Sequence, residues 1–156
     1  MKKLLFLFCL LSWSVLHAQK TINRPPFIAK ATETIEIAAI HLSDTATVVD
    51  VDAKFIPKNW IRIAPATCLV ADNGERYQVR QGVGIELGQE FWMPESGEAT
   101  FSLIFPPLPA SVKSFDFVEG EGERDFNLFG ISLIGKLPKL QLPKDLGKAG
   151  KATAVA

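Results

Sequence analysis

Within residues 33–135 the dominant spacing of apolar and polar side chains is a period of two. Thr47, Val49, Val51, Ala53 and Phe55 alternate with Val48, Asp50, Asp52 and Lys54. Ala99, Phe101, Leu103 and Phe105 alternate with Glu98, Thr100 and Ser102, and Phe115 and Phe117 share a face apart from Ser114 and Asp116. An extended backbone sends successive side chains to opposite faces, so each stretch reads as a strand with one face in a core and one toward water. Shorter strands are expected over 34–42, 60–63, 68–71, 76–80, 84–87 and 127–134. No window longer than about ten residues carries a helical stripe.

The breaks between these stretches agree with that reading. Asn73-Gly74, after Asp72, tolerates the positive φ of a tight hairpin turn. Pro57, Pro65, Pro94 and the run Pro106-Pro107-Leu108-Pro109 lack the N–H that a central strand must donate, so they mark loops. Eight or nine short strands in about 100 residues predict an all-β fold, an immunoglobulin-like antiparallel β-sandwich. The Cys…Trp…Cys core of antibody domains is missing.

The N-terminus has a different character. Met1-Lys2-Lys3 is followed by 13 apolar-rich residues, Leu4 to Leu16, and then by His17-Ala18 ahead of polar Gln19. This is the layout of a cleavable secretory signal peptide over 1–18. An uncleaved span would need about 20 apolar residues. The expectation is a periplasmic or secreted chain with no stable membrane span after cleavage. Cys9 lies inside the apolar stretch after Leu7-Phe8, so lipid attachment there is not expected. Residues 19–32 read as a polar lead-in broken by Pro25-Pro26, 33–135 as the sandwich, and 136–156 as a basic flexible tail or linker with five lysines and one aspartate. The 17 basic and 17 acidic side chains balance, but residues 19–135 hold ten bases against sixteen acids. Such a body offers no basic face for nucleic acid.

Few residues suggest chemistry. After cleavage Cys68 is the single cysteine, which excludes an intramolecular disulfide and a Cys-x-x-Cys centre. It reads as a small buried apolar residue or as a reactive thiol. His41, between Ile40 and Leu42, has no neighbouring ligand or nucleophile in the sequence, so neither a metal site nor a catalytic triad is expected. Gly82, Gly84 and Gly88 precede no helix, and they suit a turn and bulge better than a phosphate loop. Glu119, Glu121, Glu123 and Asp125, interleaved with Gly120 and Gly122, read as a solvated hairpin tip or as an oxygen-rich calcium loop. Trp60, Tyr77, Trp92 and Phe129 are candidates for an exposed aromatic surface that anchors a partner. Asp44-Thr45-Ala46 resembles the short acceptor pattern of a bacterial periplasmic O-glycosylation system, with Thr45 as acceptor. No cofactor is implied.

One longer resemblance stands beside these readings. The segments 91–109, 113–120 (KSFDFVEG) and 127–131 (NLFGI) resemble the N-terminal β-sandwich module of exported bacterial thioredoxin-like proteins, the disulfide reductase and peroxiredoxin-like relatives. The resemblance covers about residues 33–135, and it implies a thioredoxin fold with its Cys-x-x-Cys after the module. None of that catalytic half falls on a residue here. The expected function is therefore an exported non-enzymatic interaction or accessory module for a protein or cell-envelope partner, either stand-alone or the truncated front half of a thioredoxin-like protein. The alternative is a part in thiol–disulfide exchange, through Cys68 or through a docked thioredoxin.

Overall fold

The structure, a computed structural model, describes residues 19–122 and 125–137. The segment 1–18, read as a signal peptide, residues 123–124, and 138–156 of the segment read as a tail lie outside the described residues. Among the described residues twelve strands follow one another: β1 (Lys20–Asn23), β2 (Ala29–Lys30), β3 (Ile35–Leu42), β4 (Thr47–Lys54), β5 (Trp60–Ile61), β6 (Cys68–Ala71), β7 (Arg76–Gln78), β8 (Gln81–Val83), β9 (Phe91–Trp92), β10 (Glu98–Phe105), β11 (Ser114–Val118) and β12 (Leu128–Ser132). Among the described residues no helix is long and apolar enough to cross a membrane.

Ten strands form two five-stranded antiparallel sheets, ordered β1-β3-β4-β10-β8 and β2-β12-β11-β6-β7, and β5 pairs with β9 as a separate two-stranded ribbon. One core joins the sheets. Val49, Val51, Leu103 and Phe105 from the first meet Leu69, Phe115, Phe117 and Ile131 from the second. The rings of Phe105 and Phe117 touch edge to face at 6.4 Å across the gap. The period-two residues of β4, β10 and β11 supply much of this filling, and the all-β sandwich expected from the alternation is present.

The strand count exceeds the eight or nine expected. Residues 19–32, read as a lead-in, supply β1 to the edge of the first sheet and β2 to the edge of the second. Their side chains are mostly exposed, and an edge strand of this kind carries little apolar signal. The strand expected over 84–87 forms instead at Gln81–Val83, where it pairs with β10. Gly84, at φ +81°, then turns the chain out of the sheet.

Two bulges change which side chains face the core. In β3 the register slips between Ile37 and Ala39, so Ile35, Ile37 and then Ile40 point inward and His41 points out. Without the extra residue His41 would share a face with Ile35 and Ile37. In the β11–β12 pair the slip lies between Phe115 and Phe117 and brings Leu128 and Ile131, three apart, to the same core. Gly130 sits at the turn of that bulge with φ +64°, and its N–H donates to Asp116 Oδ1 at 2.6 Å. A Cβ there would come within 2.5 Å of Ile28.

Candidate functional site

The β5–β9 ribbon has two unlike faces. Trp60 lies directly opposite Trp92, and Ile61 opposite Phe91. Ile61 is buried, and Phe91 packs into the core edge with its ring 6.4 Å from that of Phe101. The tryptophans, one residue out of phase, therefore face outward, 40% and 61% exposed. Side chains directly opposite on antiparallel strands have Cβ atoms about 5 Å apart, so the two indoles form one surface. Backbone bonds lengthen the ribbon beyond its two strands. Met93 N–H donates to the Asn59 carbonyl at 2.8 Å, and Lys58 N–H donates to the Met93 carbonyl at 3.2 Å. Lys58 and Glu95 form an ion pair at 2.9 Å on this end, where Ile56 is also exposed.

Trp60 also walls a cleft of about 610 Å³ formed with Phe55, Ile61, Arg62, Thr32 and Phe126. Its volume falls in the range of ligand-sized pockets. Glu119 holds the cleft together from below. One carboxylate oxygen accepts the Ala64 N–H at 2.7 Å and the other accepts the Phe126 N–H at 2.8 Å. The Glu119 N–H donates to Asn127 Oδ1 at 2.9 Å, and Asn127 Nδ2 donates to the Gly120 carbonyl at 3.0 Å. Burial pushes the Glu119 carboxyl above its ordinary range; the two amides and Arg62 oppose that push, and Asp125 adds to it.

This arrangement sets Glu119 apart from the solvated tip or calcium loop read over residues 119–125. Glu119 is 9% exposed, and both of its oxygens are taken by backbone amides. Asp125 Oδ2 accepts the Gly122 N–H at 2.7 Å and so closes the turn. Glu121 is exposed, and Glu123 lies outside the described residues. Among the described residues no group of three or more histidine, cysteine, aspartate or glutamate side chains is placed to hold a metal ion.

The four aromatic candidates separate. Trp60 and Trp92 come together, whereas Tyr77 and Phe129 belong to the second sheet. The Tyr77 ring packs against the core, and its hydroxyl donates to Glu75 Oε2 at 2.6 Å. Phe129, 38% exposed, lies on β12 opposite Ala29. Cys68 is 4% exposed, in a strand paired on both sides. Thr45 is exposed at the β3–β4 turn.

A polar row that the sequence did not reveal crosses the outer face of the first sheet. Thr21 Oγ1 lies 3.0 Å from His41 Nδ1, His41 Nε2 lies 2.7 Å from Asp50 Oδ2, and the Ser102 hydroxyl donates to Asp50 Oδ1 at 2.7 Å. A carboxylate only accepts, so Nε2 carries the proton directed at Asp50. The aspartate stands between serine and histidine, so the imidazole does not meet the Ser102 hydroxyl and the row does not have the Ser-His-Asp order of a triad. Only the β3 bulge and the docking of β1 assemble it, and neither leaves a mark in the local pattern. The chain matches no protein-family model, and no curated protein or solved structure is similar to it.

Proposed function

We propose that this chain is an exported, non-enzymatic β-sandwich module that binds a protein or cell-envelope partner through the Trp60–Trp92 ribbon and the cleft beside it. The observation that carries this reading is the pair of exposed tryptophans set opposite each other on a ribbon whose reverse face is anchored by Ile61 and Phe91. Exposed tryptophans on a pre-ordered support lose little side-chain freedom on binding, and tryptophan is enriched among the residues that carry interface energy. Because segments 91–109, 113–120 and 127–131 resemble the front module of exported thioredoxin-like proteins, a thioredoxin-like protein is included in the proposed partner class. Thiol exchange through Cys68 is the weaker reading, because a thiolate must reach its target and this sulfur belongs to a side chain 4% exposed.

The test places a photo-crosslinking residue at position 92, or at exposed Gln78 on the second sheet, in cells that make the protein. A discrete adduct from position 92 that disappears with Trp60→Ala, and none from position 78, is the expected result. No adduct from position 92, or one indifferent to Trp60, overturns the reading.

A further inference from the structure

The turn between β3 and β4 reverses the chain at Asp44 and Thr45, both exposed. Ser43 holds this turn. Its N–H donates to the Ala46 carbonyl at 3.0 Å, its hydroxyl donates to the same oxygen at 2.9 Å, and its Oγ accepts the Ala46 N–H at 3.2 Å. Thr45 contributes only a 3.3 Å contact between its hydroxyl and Ser43 Oγ, on the exposed side. Other threonines are committed to the fold: Thr47, fully buried, accepts the Leu108 N–H, and Thr67, fully buried, donates to the Ala64 carbonyl. The Thr45 hydroxyl is thus presented at the tip of a hairpin whose two strands are eight residues each, and the fold does not depend on it. Exposed loop tips on rigid supports are where modifying enzymes reach a folded chain.

We propose that Thr45 is an O-glycosylation site of the exported protein, within the acceptor triplet Asp44-Thr45-Ala46. The proposal rests on the export reading given above. In the transfer, Thr45 Oγ attacks the anomeric carbon of a sugar carried on an isoprenoid pyrophosphate. The new C–O bond forms as the bond from that carbon to the pyrophosphate oxygen breaks. The electron pair leaves with the pyrophosphate, and the hydroxyl proton passes to a base of the transferase. Nothing is oxidised or reduced. Thr45→Ala removes the acceptor and leaves the Ser43 bonds that hold the turn, so the variant folds.

Intact-mass measurement on the protein from fractionated cells, with peptide mapping, tests this in the wild type, Thr45→Ala and Thr45→Ser. The expected result is a cleaved chain in the envelope fraction carrying a hexose-type mass increment on the peptide containing Thr45. That increment is lost in Thr45→Ala and retained in Thr45→Ser. A cleaved chain with no added mass overturns the glycan and leaves export standing. An increment that survives Thr45→Ala, or one that is a phosphate, overturns the assignment. An uncleaved, unmodified chain in the cytosol overturns export and the glycan together.

Discussion

Glu119 and Asp50 are carboxyls displaced in opposite directions, and each makes its own prediction. Glu119 is raised by burial, so the share of stability tied to its protonation is fully present below its ordinary pKa and is lost as pH rises through the raised value. Once ionised it still accepts two amides, and an amide side chain accepts only one of them. Glu119→Gln is therefore expected to lower the unfolding free energy by about 1–3 kcal/mol at neutral pH, because one buried N–H loses its acceptor. A urea melt unchanged from wild type would show that the cleft holds without this contact. For Asp50, burial works against the charge, but the donors Ser102 and His41 outweigh it and the carboxyl lies below its ordinary range. Its contribution is present above the unfolded value and is lost as pH falls through the folded one. The stability gap between wild type and Asp50→Asn should accordingly shrink as pH is lowered below about 4. Melts at a series of pH values measure it, and a gap constant down to pH 2 would contradict the network.

At the scale of the element, the ribbon separates support from surface. Phe91 and Trp92 are neighbours in sequence but face opposite ways. Phe91→Ala should lower stability by about 1–3 kcal/mol, since a half-buried ring against Phe101 leaves a gap. Trp92→Ala should stay within about 0.5 kcal/mol, as exposed substitutions do, while abolishing the adduct at this face when the crosslinker sits at exposed Glu95 instead of position 92. Equal losses for the two would mean that Trp92 serves the fold. Both tryptophans are visible in the sequence as aromatic residues, and so are Tyr77 and Phe129. What distinguishes the first two is the pairing of β5 with β9, which no local pattern encodes. Glu119 shows the reverse case: its place among acids and glycines reads as a tip, yet the return of the chain through Ala64 draws it inward.

For the whole molecule, the segment 19–32 closes both sheets, β1 covering the edge of β3 and β2 that of β12. A chain starting at residue 33 leaves two sheet edges unpaired and is expected to melt at lower temperature and to aggregate, whereas a chain starting at residue 19 stays monomeric. Thermal melts with light scattering compare them, and identical behaviour would mean that the edges need no cover. Strand identity along β4, β10 and β11 was determined by the sequence alone, because a period of two requires an extended backbone and assigns each side chain to a face. The Asn73-Gly74 reversal and the proline-marked loops were legible for a similar reason, since each depends on the φ freedom or the missing N–H of its own residues. Tertiary structure decided the rest: the bulges that turn His41 outward and Ile131 inward, the order of strands in each sheet, and the meeting of Trp60 with Trp92. Those features are pairings between distant segments, and an alternating strand presents the same hydrogen-bonding edge to whichever partner the rest of the chain brings to it.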